Sequence, residues 1–284
     1  MAGQDIWHGN DMNLTISLAQ ISVARSQPEA NLIKGEALVA EAARRGSDMI
    51  CFPEMWTTGF DWAQNERMAA QHEQVICRVA DMARRHGIWI SGSMLSLNEQ
   101  GRVSNTHIMF DDKGARAGVY RKTHLFTLFH EDKHMAPGNA LCTVETPWGL
   151  AGLSVCYDIR FPELFRTYAL KGVKLMLSPM AFPHPRLAHW KILVRARAIE
   201  NQMFMIGVNQ VGSENFGADG EAVYFGDSVI IDPWGGTVAE AGEGREMLVT
   251  ATIDVDEADQ VRQRMMVLRD RRPDLYELGA GDTE

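Results

Sequence analysis

An α/β layered fold is what this sequence predicts, and three observations predict it. Short apolar segments with strand periodicity alternate with amphipathic segments of helical periodicity along the 284-residue chain. Turn signals rich in Gly, Asp, Asn and Pro separate these segments at short intervals. No Pro/Ser-rich linker or charge block divides the chain. One domain is therefore expected over residues 1–284, with a core over about 13–270.

The elements follow in order. Residues 13–20 (NLTISLAQ) alternate apolar and polar side chains, as a half-buried strand does. Residues 28–45 predict a helix: Pro28 suits its first turn, Leu32, Ile33, Ala37, Val39 and Ala40 are its apolar positions, and Gly46 suits its stop. DMICFP (48–53) is a short apolar strand, and a second amphipathic helix is expected over 66–86, ending at Gly87. Strands follow at 88–95, 104–110 and 116–121, with turns at Asn98–Gly101 and Asp111–Gly114.

The second half repeats the alternation. Strands at 140–145 and 150–155 flank the turn Pro147-Trp148-Gly149, then come a helix over 161–171 and a strand at 173–178. A long helix over 186–200 leads to a strand at 202–209. Strands at 223–232, 236–241 and 246–253 follow, with a turn through Asp232-Pro233-Trp234-Gly235-Gly236, before a closing helix over 254–266. The last eight residues, ELGAGDTE, carry little apolar content and are expected to fray. The two halves share an element order, which alone does not establish an internal duplication.

Composition narrows the function classes. Hydrophobic residues make up 45% and charged residues 23%, a globular balance that argues against disorder. The net charge of −9, with scattered Lys and Arg, argues against a nucleic-acid partner. No run approaches ~18 uninterrupted apolar residues, so no membrane span is expected. The opening MAGQDIWHGND lacks a basic and an apolar signal region, so a secretory signal is not expected. None of the four cysteines forms a Cys-x-x-Cys pair, which favours free thiols in a cytoplasmic setting. Cys51, Cys77 and Cys142 sit in apolar runs and are expected to fill core.

Three segments place reactive side chains where a strand should end, the position of ligand crevices in α/β sheets. In Met49-Ile50-Cys51-Phe52-Pro53-Glu54, a carboxylate follows an apolar strand. In Tyr120-Arg121-Lys122-Thr123-His124, a lysine does. In Leu153-Ser154-Val155-Cys156-Tyr157-Asp158, a cysteine lies between a strand and a helix, where a sharp turn can expose a nucleophile beside a backbone N–H. Taken singly, each is ordinary: a loop carboxylate, a surface lysine, a core thiol. Taken jointly they make chemical sense. A thiol of ordinary pKa ~8.5 is only a few per cent thiolate at neutral pH, so it needs a base and a cation nearby.

Together the segments resemble the carbon–nitrogen hydrolase (nitrilase) superfamily. Its motifs stand here as FPEMWTTGF around Glu54, YRKTHLF around Lys122 and CYDIRFPELFR from Cys156. The likeness continues through Ala188-His189-Trp190 and RARAIENQ (195–202) to RDRRPDLY (269–276), nearly the whole chain. The resemblance implies a four-layer αββα sandwich, a homodimer or higher homo-oligomer, a small-molecule amide substrate, and no metal or cofactor. It further implies that Cys156 attacks the amide carbon, that Lys122 and the Tyr157 backbone N–H hold the oxyanion, and that Glu54 acts as base and acid. One such preorganised donor can be worth about 3–4 kcal/mol. Glu131 lies where many members carry a second, bracing glutamate; otherwise it is a loop carboxylate.

Within the superfamily the match resembles omega-amidases and Nit-type amidases, which implies 2-oxo dicarboxylic acid monoamides such as 2-oxoglutaramate as substrates. Arg160 could clamp the far carboxylate or pair structurally with Glu163. Phe182 is expected to line the pocket, and Trp56 either walls it or fills core. His184-Pro185-Arg186 leaves the acyl group open, so an amidase acting on deaminated glutathione or an N-carbamoyl compound remains the alternative. RDRRPDLY is either part of a dimer contact or a solvated basic turn. A zinc peptidase is a remote alternative, because His130-Glu131-Asp132-Lys133-His134 matches H-E-x-x-H. That signature needs a sustained helix, and Pro137-Gly138 cut this one short. A non-catalytic relative would be expected to lose Glu, Lys or Cys, and all three are kept. The overall negative charge does not forbid an anionic substrate, since local cations decide recognition.

Overall fold

The computed structural model describes residues 12–217 and 220–276. The expectations for ELGAGDTE and for MAGQDIWHGND lie outside the described residues. The strands are β1 (Asn13–Gln20), β2 (Met49–Cys51), β3 (Trp89–Leu97), β4 (Val103–Phe110), β5 (Arg116–Arg121), β6 (Thr143–Thr146) and β7 (Gly149–Leu153). They continue with β8 (Leu175–Met180), β9 (Phe204–Asn209), β10 (Val211–Asn215), β11 (Glu221–Phe225), β12 (Val229–Ile231), β13 (Thr237–Glu240) and β14 (Met247–Asp254). The helices are α1 (Pro28–Arg44), α2 (Asn65–Ala69), α3 (His72–His86), α4 (Glu131–His134), α5 (Pro162–Leu170), α6 (Leu187–Asn201) and α7 (Glu257–Arg264).

Two six-stranded sheets result, in the orders β14-β1-β2-β3-β4-β5 and β13-β12-β9-β8-β7-β6. In the first, β1, β2 and β3 run parallel, with β14 antiparallel on one side and β4 and β5 on the other. In the second, β7, β8 and β9 run parallel, with β6 on one side and β12 and β13 on the other. The shared element order of the two halves is thus a shared sheet topology.

Side-chain alternation explains the layers. In β2, Met49 and Cys51 point one way and Ile50 the other, and all three are buried, so both faces of the strand are covered. On the inner face, Leu14, Ile16, Leu18 and Met109 of the first sheet pack against Val144, Leu153, Leu177 and Ile206 of the second. On one outer face, Leu32 and Val39 of α1 and Ile76, Val79 and Met82 of α3 cover Ile50, Ile90 and Ile108. On the other, Phe165 and Tyr168 of α5 and Trp190 and Val194 of α6 cover Met176 and Met205. The fold is a four-layer αββα sandwich. His107, buried between the sheets, donates from Nδ1 to Ser154 O (3.1 Å) and accepts from Ser91 Oγ at Nε2 (2.7 Å). Burial pushes its imidazole down to about 4, so the ring is neutral at physiological pH.

The structure departs from the sequence-based expectations at several points. The helix expected over 66–86 is broken, because its two parts bury against different targets. Met68 and Ala69 of α2 join a satellite cluster with Phe60 and Leu95, whereas the apolar stripe of α3 lies on the sheet. The strand expected over 223–232 is two strands. β11 pairs with β10 in a hairpin, Gly226 and Asp227 turn through left-handed φ of 79° and 58°, and β12 joins the second sheet. The helix expected from residue 161 is preceded by a separate 3₁₀ turn over Cys156–Arg160. Cys77 is exposed, because the period of α3 turns Ile76, Val79 and Ala83 to the sheet and leaves Cys77 outside; Cys142 is half-buried and Cys51 is core. Trp56 is fully buried and stacks on Phe52 with 4.2 Å between centroids, so it fills core. Among the described residues no helix is long and apolar enough to cross a membrane.

Gly118 of β5 lies against the second sheet. A Cβ there would stand 2.3 Å from Val144 Cγ2 and 3.2 Å from Leu153 Cδ1. Gly118→Ala is expected to wedge the sheets apart and cost about 1–3 kcal/mol in denaturant unfolding, as overpacking does. An unchanged unfolding midpoint would show that the sheets can slide to accommodate it.

Candidate active site

Glu54 follows β2 by three residues, and its chain is tied to both sheets. Phe52 N–H donates to Ser91 O (2.7 Å), Glu54 N–H to Met180 O (3.2 Å) and Trp56 N–H to Ser93 O (3.1 Å). Met55 takes a left-handed φ of 51°, and its N–H donates to Ser93 Oγ (2.9 Å). This turn leaves the Glu54 carboxylate between the sheets, 1% exposed.

Lys122 follows β5 directly. Its N–H donates to Asn105 O (2.9 Å), and its carbonyl accepts from Gly138 N–H (2.8 Å). The ammonium, also 1% exposed, donates to Glu54 Oε1 (2.8 Å) and to Glu131 Oε1 (2.8 Å). Glu131 is the first residue of α4, and its Oε2 accepts the Phe126 N–H (2.7 Å). Asn105 Nδ2 donates to Glu54 Oε1 (2.8 Å). Burial alone would lower the Lys122 pKa, but the charges of Glu131 and Glu54 overcome it and raise it, so the side chain stays an ammonium. Burial, with the Glu54 charge adding to it, raises the Glu131 carboxyl against the opposing Lys122.

Cys156 opens the 3₁₀ turn after β7 with a left-handed φ of 42°, the sharp strand-to-helix turn expected from the sequence. It is half-buried and lines a cavity with Glu54, Lys122 and Glu131. Burial first, then the Glu54 charge, holds its thiol well above the usual range, and Lys122 offsets them only in part. The thiol is therefore protonated at rest and depends on a base.

Asp158 locks this turn to the lysine segment. Its carboxylate accepts from Val155 N–H (2.8 Å), Tyr120 O–H (2.7 Å) and Thr123 O–H (3.2 Å), and meets His124 Nδ1 at 2.7 Å. The cavity continues past Cys156 along Tyr157, Arg160, Phe182 and Phe126. Phe182 is held by Asn209, which accepts its N–H (2.7 Å) and donates to its carbonyl (3.1 Å). Among the described residues Arg160 forms no ion pair with Glu163; its guanidinium lies 5.3 Å from the Phe182 ring centroid. The seven residues singled out in the sequence thus line two cavities that share Phe126, Cys156 and Ala181.

The H-E-x-x-H stretch does not form a metal-binding face. α4 is one turn long, Glu131 turns to Lys122, and the His134 ring stacks on Trp62 at 4.9 Å and 3°. Among the described residues no group of three or more His, Cys, Asp or Glu side chains is arranged to hold a metal ion.

Sequence reasoning missed Asn105, Asp158, Glu214 and Tyr224. Asp158 lay inside a quoted motif, whereas Asn105 and Glu214 sit in strands with nothing local to mark them. Glu214 of β10 is buried and accepts from Phe60 N–H (3.1 Å) and Tyr224 O–H (3.0 Å), and Tyr224 lines the cavity. Burial pushes the Glu214 carboxyl up to about 7. A carboxyl raised on folding stays protonated in the folded chain while the unfolded chain ionises. Its penalty is thus absent below about pH 4.5, grows as pH rises to about 7 and then levels off. Glu214→Gln is expected to gain stability over the unsubstituted protein by about 1–3 kcal/mol between pH 5 and pH 8. Parallel denaturant melts with no pH-dependent difference would show that Glu214 ionises freely in the fold.

Comparison with known proteins agrees with this architecture. The family model described as carbon-nitrogen hydrolase matches residues 15–263. The 2-oxoglutaramate amidase of Bacillus subtilis is 36% identical over 266 residues, covering 93% of this chain and 100% of that protein. The omega-amidase NIT2 of Danio rerio is 32% identical over 277 residues, covering 93% and 97%. Among solved structures, an amidase of Nesterenkonia sp. AN1, showing the result of Michael addition of acrylamide at its active-site cysteine, aligns with a TM-score of 0.81. It is 26% identical and covers 92% of this chain and 98% of that one.

Proposed function

The chain belongs to the carbon–nitrogen hydrolase family, and on that premise we propose that it is an omega-amidase, hydrolysing the terminal amide of 2-oxo dicarboxylic acid monoamides such as 2-oxoglutaramate. One observation carries the reading: a buried ammonium held between two carboxylates on the cavity that a cysteine in a strand-to-helix turn also lines. The names of the Bacillus and Danio relatives support the substrate class.

The geometry supports the following reaction. Glu54 takes the thiol proton as Cys156 Sγ forms its bond to the amide carbon. The carbonyl π electrons move to oxygen, and that oxyanion is held by the Lys122 ammonium and the Tyr157 N–H. Glu54 returns the proton to the amide nitrogen, the C–N bond breaks, and ammonia leaves a thioester. A water then loses a proton to Glu54 and attacks the thioester carbon. The C–S bond breaks, the thiol regains its proton, and the free acid departs. Lys122, Glu54 and Cys156 act as one unit, so removing any of them costs more than its share. Glu131 is a positioning residue: it holds the ammonium and is itself fixed by the Phe126 N–H.

The family match over residues 15–263 supports a single hydrolase domain. Free thiols at all four cysteines fit a cytoplasmic setting. A homodimer is part of the same reading: Leu275 and Tyr276 are exposed within RDRRPDLY, Met265 is exposed just before it, and Ile192 and Ile199 are exposed on α6. Sedimentation is expected to give a dimer that Leu275→Asp shifts towards monomer; a monomeric unsubstituted protein would overturn the assembly.

Ammonia release from 2-oxoglutaramate tests the chemistry. Cys156→Ala and Glu54→Gln are each expected to lose at least about 10³-fold in kcat, and Glu131→Gln about 10–100-fold. Unchanged turnover in Cys156→Ala would sink the nucleophile. Loss with a chelator and recovery with zinc would revive a metal mechanism.

A further inference from the structure

Arg186 was left without a role by the sequence, and the structure brings it beside Arg160. Both line the cavity that contains Cys156. The Arg186 guanidinium lies 5.5 Å from the ring centroid of Phe126, the residue whose N–H holds Glu131. Arg160 lies over Phe182 on the same cavity. The main chain before Arg186 is fixed: His184 N–H donates to Val223 O (2.9 Å), and Pro183 bridges to Tyr224.

Several arginines stand against acids, as in Arg25 with Asp61, Arg45 with Glu41, Arg121 with Glu99 and Arg197 with Glu200. Arg160 instead meets His189, with Nη2 3.4 Å from Nδ1. Among the described residues neither Arg160 nor Arg186 has a carboxylate within ion-pair distance. Burial first, then the neighbouring Arg160 charge, lowers the Arg186 pKa. Two half-buried guanidiniums facing one cavity repel each other and lack the anion that would offset that repulsion. The first turn of α6, which starts one residue after Arg186, also carries no acid, so its positive end adds to the same field.

We propose that Arg186, together with Arg160, binds the carboxylate at the end of the acyl chain remote from the scissile amide, and that Arg186 is the residue that selects carboxylate-bearing amides over neutral ones. The inference rests on the amidase reading above and deepens it. With the amide carbon at Cys156, the acyl chain runs along Phe126 and Phe182, and its free carboxylate meets the two guanidiniums. Two planar donors suit a carboxylate with an adjacent 2-oxo oxygen, which offers several acceptor lone pairs on one side.

The test compares kcat/KM for 2-oxoglutaramate with that for pentanamide, a neutral amide of the same carbon count. In Arg186→Gln the ratio of the two values is expected to fall about 30–100-fold, chiefly through KM for 2-oxoglutaramate. In Arg186→Lys, which keeps the charge and loses the fork, the fall is expected to be about 5–10-fold. Calorimetric binding of 2-oxoglutarate to the Cys156→Ala protein should weaken on adding Arg186→Gln, a readout that needs no turnover. If unsubstituted protein hydrolyses 2-oxoglutaramate and Arg186→Gln lowers both substrates equally, Arg186 is structural and only this inference fails. If unsubstituted protein hydrolyses pentanamide but not 2-oxoglutaramate, the substrate reading falls and this inference with it.

Discussion

Lys122 Nζ sits 2.8 Å from each of two buried carboxylates, and the surrounding structure is arranged to keep it there. Taking an ion out of water costs several kcal/mol even after relaxation, and attraction offsets that only when the geometry is good and the remaining lone pairs are filled. Here they are filled by neighbours: Asn105 donates to Glu54, and the Phe126 N–H to Glu131. Burial first, and then the Glu54 charge, oppose ionisation of the adjacent thiol, and Lys122 offsets them only in part.

No single element could hold such a cluster. The carboxylate comes from the end of β2, the ammonium from the end of β5, its second partner from α4 and the thiol from the end of β7. The first two lie on one sheet and the thiol on the other, so the spacing between sheets becomes a chemical parameter. Close approach at Gly118, the His107 bond to Ser154 and the Glu54 N–H bond to Met180 set that spacing. Asp158 adds a direct strap from the thiol turn to the lysine segment. The outer helices bury the backs of the sheets that carry this chemistry.

Much of this is legible in the sequence, and for identifiable reasons. A strand covered on both faces is a continuous apolar run, so β2 and β8 stand out, and the reactive residues lie where such runs stop. The order of the three motifs then carries the site. What stays hidden is decided by tertiary contact. β10 reads VGSEN, a polar stretch that becomes a strand only because β11 lies beside it. Helix α3 ends at Gly87 as its sequence suggests, yet its start depends on where Met68 and Ala69 find burial. Cys77 shares an apolar neighbourhood in sequence but not in space. Arg186 is one arginine among many until the fold shows which of them lack an acid.

The pairing of β1 with β14, which sets Asn13 opposite Asp254 and Gln20 opposite Met247, gives the chain the form of a closed circuit. During synthesis β1 emerges early and waits for nearly all the remaining residues before its antiparallel neighbour exists. The second sheet, built from β6 to β13, has all its strands before the first sheet has its edge. Contacts so distant in sequence are slow to form, because loop closure must precede any gain from pairing. The nascent first sheet therefore carries an open strand edge until β14 is made, an interval in which such a chain is exposed to misassociation.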